Sequence, residues 1–392
     1  MGLLSNAKIE LEKIRNRNLF RQAAILEQRN NNTITINKKR LLNFSSNDYL
    51  GLSSHADILN SISSTANNFG FGSSASPLVC GKSDHHQRLE EMIAFKTGRD
   101  RALLFPSGYQ ANLGMVTALS LIEGVEFYVD RLCHASILDG LILSRGRFKR
   151  YAHNDIESLE GLLNKSNAEV KLVLTESVFS MGGEICPLAE ISNIAIKQDA
   201  QLLVDDAHGF GVMGEGCQGT LAHFGISQEV APLMTGTFGK ALGLQGAFVA
   251  GDNNVIELLV QRARPYIYST ALSAPLAAGV LEAICVIDKE PQRKLKLLEN
   301  IKYFQKEMLK HGIKIQNTNS PIQPIIVGSS NNAIKLSERL IARGFFVVGI
   351  RPPTVPEGTA RIRISLNSNH QPKELAALID ALVSEYRALE IE

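Results

Sequence analysis

Gln201-Leu-Leu-Val-Asp205-Asp206-Ala-His208-Gly209 is an apolar run of strand length that ends in two carboxylates and an imidazole. A buried strand end is a costly place for charge unless a partner is present. Where strands alternate with helices, ligands bind at the carboxyl ends of the strands. The stretch therefore reads as part of a covered sheet and as one wall of a site. A ligand carrying a cationic ring nitrogen would supply the missing partner, while a solvated loop after an ordinary strand explains the residues equally well in isolation. Side chains alternate along a strand, so Asp205 and Asp206 face opposite ways and one of them is expected to reach the site.

The alternation continues outward from residue 201. Apolar runs of strand length stand at 102–105, 127–129, 172–175, 233–238 and 246–250, with helix-period segments at 85–97, 108–121, 155–164 and 188–197. This pattern predicts an α/β fold, a mostly parallel sheet covered on both faces. Upstream, 7–29 reads as an amphipathic helix through Ile9, Leu11, Ile14, Leu19, Ala23 and Leu26, followed by short strands at 33–36 and 41–44. Downstream, 271–311 reads as long helices. A second α/β set follows, with strands near 323–327, 345–350 and 360–366 and helices near 331–343 and 372–387. At 392 residues the chain exceeds what one core supports. The expected division is an N-terminal helix with short strands (1–50), a large domain (51–285) and a smaller C-terminal α/β domain (286–392).

Composition narrows the function classes. A net charge of +2 gives no electrostatic reason to expect nucleic acid or membrane as a partner. The five cysteines, Cys80, Cys133, Cys186, Cys217 and Cys285, show no CxxC spacing, which argues against zinc or a disulfide framework and fits a reducing compartment. Met1-Gly2-Leu3-Leu4-Ser5-Asn6 lacks the profile of a signal peptide, and Asn6 stands where a myristoylation signal wants Ser or Thr. The cytoplasm is the expected location. His85-His86 near Cys80 reads as a helix start with exposed histidines, since no second pair is spaced to complete a metal site.

Several other strand ends carry chemistry. Thr235-Gly236-Thr237-Phe238-Gly239-Lys240-Ala241-Leu242-Gly243 sets one lysine in a Gly-rich turn, where small neighbours let a planar group approach the amine. A lysine with an ordinary pKa near about 10.4 is a poor nucleophile at neutral pH. Desolvation or imine formation corrects that. A surface lysine is the plain alternative, and the Gly–Thr frame with the acidic strand end upstream favours function. Phe105-Pro106-Ser107-Gly108-Tyr109-Gln-Ala-Asn112 is a strand, a turn and a helix start, a phosphate seat or a plain Ser N-cap. Asp130-Arg-Leu-Cys133-His134-Ala-Ser136 and Thr175-Glu176-Ser177-Val-Phe-Ser180-Met181 also follow strands, with a histidine suited to stacking on a flat ligand and a hydroxyl suited to a phenolate oxygen. Gly209-Phe-Gly211-Val-Met-Gly214 matches G-x-G-x-x-G, but that motif needs a helix opening at its glycines. The continuation Glu215-Gly216-Cys217-Gln218-Gly219 is loop composition, so a nicotinamide site is not expected.

Together with Ser46-Asn47-Asp48-Tyr49-Leu50-Gly51 and Arg351-Pro-Pro-Thr354-Val-Pro, these stretches span nearly the whole chain in one order. In this combination the chain resembles the α-oxoamine synthases, pyridoxal-phosphate enzymes of the aspartate-aminotransferase-type fold (fold type I). The resemblance implies a catalytic set of Lys240, His134, Asp205 and His208. Lys240 holds pyridoxal 5'-phosphate as a Schiff base and takes the α-proton, and Asp205 keeps the pyridinium nitrogen protonated. His134 stacks on the ring and faces the substrate, while Ser180 and His208 bond around the phenolate oxygen. Gly108, Tyr109 and Thr237 hold the phosphate. Thr270, in Tyr268-Ser-Thr270, reaches the phosphate of a neighbouring subunit, which implies a homodimer with shared sites. Asn47 and Arg363 bind the amino-acid carboxylate, the latter as a planar fork.

Within the family, Arg351-Pro-Pro-Thr-Val-Pro-Glu-Gly-Thr-Ala-Arg-Ile-Arg363 is most similar to members that join L-alanine to a pimeloyl thioester, of coenzyme A or acyl carrier protein, with loss of carbon dioxide in biotin synthesis. Arg21 on the first helix and Thr354 are then expected at the acyl side. Met181-Gly182-Gly183-Glu184, Ala241-Leu242 and Ala75-Ser76-Pro77 depart from the family pattern and bear on fine specificity. A sister enzyme joining glycine to a short acyl-CoA is the nearest alternative.

Overall fold

In the computed structural model, which describes residues 2–316 and 318–389, the run ending at Asp205 is the strand Ala200–Asp205 at the centre of a seven-stranded sheet. From edge to edge the strands are Arg101–Phe105, Ala247–Gly251, Leu233–Thr237, Ala200–Asp205, Val170–Glu176, Val125–Asp130 and Phe148–Tyr151. The last five run parallel, and Ala247–Gly251 is antiparallel to both its neighbours. Alternate residues Leu203, Leu172, Leu174, Phe127 and Val249 pack against Met115, Val116, Ile137, Leu141 and Leu259 of the helices Gly108–Leu119, Ala135–Ser144 and Asn253–Arg262. The intervening Leu202, Val204, Val173 and Phe248 are buried as well, which is why these strands read as unbroken apolar runs. Phe148–Tyr151 (Phe-Lys-Arg-Tyr) escapes the sequence reading because it is an edge strand, where charge is tolerated and blunts further pairing.

The chain forms two compact units, one of Asp48–Ser180 and Glu184–Lys294, which holds this sheet, and one of Met1–Asn47, Met181–Gly183 and Leu295–Glu392. In the second unit Lys39–Asn43 pairs antiparallel with Thr33–Ile36 and parallel with Phe345–Phe346, so N-terminal and C-terminal segments share one sheet. Ile322–Gly328, Ala360–Ser365 and Val348–Ile350, in that spatial order, form a separate antiparallel sheet. The single strand expected at 345–350 is thus two strands of different sheets.

Two further expectations need correction. The first helix is Leu3–Asn16 rather than 7–29: Asn18 takes a φ of 55°, a left-handed value that Asn tolerates and a helix does not. Arg21 consequently lies in an irregular segment and not on a helix. The helix Asp84–Thr97 does start at the paired histidines, but His86 is buried, with Nε2 2.5 Å from the Leu272 carbonyl and Nδ1 in a capping box with Ser83. No helix opens at Gly209, Gly211 and Gly214. Residues 207–217 are turns, and a Cβ at Gly209 would stand 2.0 Å from Asp206 Oδ1 and from Thr220 Oγ1, so glycine there serves the packing of Asp206. Among the described residues no helix is long and apolar enough to cross a membrane.

Candidate active site

Parallel register brings the strand ends of the larger unit to one edge. Glu176 lies opposite Asp205, and Asp205 opposite Thr235, two residues before the end of the strand that leads to Lys240. By parity Asp205 shares a face with Leu203, and Glu176 with Leu172 and Leu174, the face covered by Gly108–Leu119. Asp206 points the other way. Its Oδ1 accepts from the Ser177 and Thr220 hydroxyls (both 2.5 Å) and its Oδ2 from the Thr220 amide (2.8 Å). Complete burial raises its pKa to about 6 against those bonds. Ser177 and Thr220 thus engage both of its oxygens.

Asp205 is wired into the helix above it. Asn112 Nδ2 donates to Asp205 Oδ2 (2.6 Å) and to Ser136 Oγ (3.0 Å), and Asn112 Oδ1 accepts from Thr235 Oγ1 (2.9 Å). Ser136 Oγ in turn lies 2.8 Å from His134 Nδ1, which also accepts from the Ser136 amide (3.3 Å). One buried network therefore fixes both the carboxylate and the imidazole. His134 keeps an open side to solvent, while the protein packed around the rest desolvates it and lowers its pKa. Asp205 opposes that shift and the Lys240 ammonium adds to it.

Glu176 was not singled out from sequence, although it ends an apolar run as Asp205 does and carries the same signal. It is buried, and burial pushes its carboxyl well above the usual carboxylate range, with the charge of Asp205 adding and that of Lys240 opposing. Its Oε1 has no hydrogen-bond partner among the described residues. Such an orphan costs about 1–3 kcal/mol in a folded protein. Asn112 was also missed: a polar residue one turn into a helix has no mark of function until packing brings Asp205 to it.

Lys240 is half-buried in the loop joining Leu233–Thr237 to Ala247–Gly251. Thr237 holds that loop, its hydroxyl donating to the Gly246 carbonyl (3.0 Å) and accepting from the Gly239 amide (3.2 Å). Gly243, at a φ of 72°, lies so near Ser53 and Asp48 that a Cβ would meet the Ser53 nitrogen at 2.5 Å. Asp48 accepts from the Leu52 and Ser53 amides (2.8 and 3.2 Å), so that stretch shapes the turn packed on the lysine loop. Tyr49 Oη lies 2.7 Å from His208 Nδ1, both buried. At the start of Gly108–Leu119, Ser107 Oγ takes the Gln110 amide (3.3 Å). The first-turn amides of Gly108 and Tyr109 have no acceptor within the helix and are available to an anion. Ser180 is half-buried and Thr270 exposed.

The other unit contributes two clusters. Arg363 is buried; its Nη1 and Nη2 both donate to Asn47 Oδ1 (3.1 Å each), and Nη1 also to Ser365 Oγ (2.7 Å). Arg21 Nη2 donates to Thr354 Oγ1 (3.3 Å), so these two expected acyl-side residues do meet. Arg351 donates to the carbonyls of Asn18 (2.6 Å) and Phe20 (3.3 Å), which pins the irregular segment that carries Arg21.

The residues of the larger unit fit pyridoxal phosphate. They offer an amine in a glycine-lined loop, a carboxylate for a ring nitrogen, an accessible imidazole face and an anion seat at a helix start, with a buried carboxyl oxygen left unpartnered beside them. The protein family described as "Aminotransferase class I and II" matches residues 39–382. An 8-amino-7-oxononanoate synthase of Nitrosococcus oceani is 44% identical over 375 residues, 96% of this chain and 99% of the relative. A serine palmitoyltransferase from S. paucimobilis, with a bound PLP–myriocin aldimine, superposes with a TM-score of 0.93 at 26% identity, over 100% of both chains. An 8-amino-7-oxononanoate synthase from Francisella tularensis gives a TM-score of 0.78 at 30% identity, over 90% of this chain and 99% of the other.

Proposed function

The chain belongs to the 8-amino-7-oxononanoate synthases, α-oxoamine synthases of the class I and II aminotransferase family, and from that membership we propose how its own residues carry the reaction. The activity is 8-amino-7-oxononanoate synthesis in biotin biosynthesis, on a fold type I scaffold with pyridoxal 5'-phosphate as cofactor. The proposed reaction joins L-alanine to a pimeloyl thioester of coenzyme A or acyl carrier protein. A bond forms between the alanine α-carbon and the acyl carbon, the carbon–sulfur bond breaks, and the alanine carboxylate leaves as carbon dioxide.

Bound pyridoxal phosphate supplies an electron sink for negative charge at the α-carbon. Lys240 would hold it through its side-chain amine, and that amine, once freed by the incoming amino acid, would take the α-proton. Asp205 keeps the ring nitrogen protonated, since a carboxylate held by Asn112 and the Ala207 amide (3.0 Å) cannot swing away. His134 covers one ring face and orients the substrate, its own orientation fixed through Ser136. Ser180 and His208 bond the phenolate oxygen, with Tyr49 setting the His208 ring. Gly108 and Tyr109 amides hold the phosphate, with Thr237 as the clasp of the lysine loop. Arg363, placed by Asn47 and Ser365, reads the alanine carboxylate, and Arg21 with Thr354 reads the far end of the acyl chain. Thr270 serves the partner's site in a homodimer. The proposed place of work is the cytoplasm, in keeping with five unpaired cysteines.

The observation that carries this reading is the convergence at one strand edge of Asp205, Glu176 and the loop of Lys240, with Asp205 tied through Asn112 and Ser136 to His134. Mass spectrometry of products from purified enzyme tests the substrate pair. L-alanine with pimeloyl-CoA or pimeloyl-acyl carrier protein is expected to give 8-amino-7-oxononanoate and free thiol. Preference for glycine with acetyl-CoA would contradict the pair while leaving the cofactor chemistry intact.

A further inference from the structure

Tyr151-Ala-His153-Asn154-Asp155 has no part in the chemistry above, yet it meets the turns that present His134 and Ser180. Asp130, fully buried, ends the strand Val125–Asp130. Its Oδ1 accepts from the Leu132 amide (2.8 Å), and its main-chain carbonyl from the Cys133 amide (3.1 Å), which shapes the turn into His134. The same carboxylate accepts from the Asn154 amide (2.8 Å) and lies 3.0 Å from His153 Nδ1. A carboxylate offers only lone pairs, so the hydrogen sits on Nδ1; the Asn154 side-chain amide, 3.3 Å away, donates to Nε2. Both ring nitrogens are thus engaged and the imidazole has one orientation.

That ring stands at 89° to Phe179, with centroids 4.3 Å apart. Phe179 is 2% exposed and directly precedes Ser180. Two backbone bonds, Phe179 amide to Glu184 carbonyl and Cys186 amide to Ser177 carbonyl (both 2.9 Å), frame the turn that follows. His153 therefore touches the stem of the Ser180 turn while Asp130 holds the base of the His134 turn.

We infer that Asp130 and His153 act as a positioning pair, through which one buried carboxylate sets both the imidazole that covers the cofactor's face and, by way of Phe179, the hydroxyl that bonds its phenolate oxygen. The inference rests on the roles proposed above for His134 and Ser180. Neither Asp130 nor His153 touches reacting atoms in this reading. Their effect is expected on cofactor affinity and on the balance between the cofactor's long- and short-wavelength absorbance bands, which reports the state of the phenolate.

The test compares holoenzyme carrying His153→Ala, His153→Gln, Ser180→Ala and the Ala pair, by hydrogen exchange and by visible spectroscopy. In His153→Ala, exchange at the Phe179 and Cys186 amides should quicken, the band balance should shift, and cofactor should bind about tenfold more weakly, as when the group orienting a ligating residue is removed. His153→Gln, which keeps a donor for Asp130, should recover part of each effect. The double variant should shift the bands no further than Ser180→Ala alone, because both act at one point. Unchanged amide exchange in His153→Ala overturns the inference, and so do additive band shifts. If exchange quickens while Ser180→Ala itself leaves the bands unmoved, the reading of Ser180 fails and takes the inference with it.

Discussion

At the scale of single residues, Asp205 and Asp206 differ in what surrounds each carboxyl. Asp206 is sealed among Ser177 and Thr220, and Asp205 is held by Asn112 at the edge where Lys240 and His134 lie. Asp205→Asn should lose nearly all turnover with the fold intact, because a neutral amide no longer keeps a ring nitrogen protonated. Asp206→Asn should keep most of its turnover, and a reversal of the two results would contradict the assignment. Asp206 also makes a signed contribution to stability. Its pKa is about 6 in the fold against 3.8 for an ordinary Asp, so between those values the folded state binds more protons. Stability from this group is full below pH 3.8 and is lost as pH rises through 6, roughly 3 kcal/mol at most. Melting temperatures from pH 4 to 7 should favour Asp206→Asn over wild type increasingly as pH rises; a constant difference would contradict this. Asp205 and Lys240 were legible in the sequence because each terminates or directly follows an apolar run. Glu176 carries the same mark, and Asn112 carries none, since its place beside Asp205 exists only through a contact made across 93 residues.

At the scale of elements, periodicity located most of the large sheet and its helices because both faces of each strand are buried and each helix has one apolar side. It failed where a local residue overrode the pattern. The first helix ends at Asn16, where Asn18 turns left-handed, although the apolar spacing runs on to Leu26, and Ile9, Leu11 and Ile14 stay exposed. At 345–350 one apolar run serves two sheets, which only long-range pairing with Lys39–Asn43 and Ala360–Ser365 reveals. Because the helix stops before Asn18, Arg21 sits on a segment clamped by Arg351 and donates to Thr354, rather than being one more cation on a helix face. A charge-assisted bond from Arg21 to the acyl terminus would be worth roughly 1.5–3 kcal/mol. Arg21→Ala should therefore raise the Michaelis constant for the acyl donor about tenfold or more and leave alanine binding unchanged. A change in alanine binding with the acyl constant unmoved would contradict this role.

At the scale of the whole molecule, Thr270 is exposed next to Tyr268, which is 70% exposed and stacked under Arg264 (4.8 Å). One large exposed aromatic beside Thr270 is compatible with the homodimer proposed above. If sites are shared, mixing Lys240→Ala with an impaired Thr270→Ala variant should recover activity, because each mixed dimer then holds one intact site. No recovery, or full activity in a sedimenting monomer, would contradict sharing. The proposed chemistry depends on one covalent bond, and reduction of purified holoenzyme with borohydride followed by peptide mapping tests it most directly. The expected result is a single reduced pyridoxyl adduct on the peptide carrying Lys240; an adduct on another lysine, or none, would contradict the assignment.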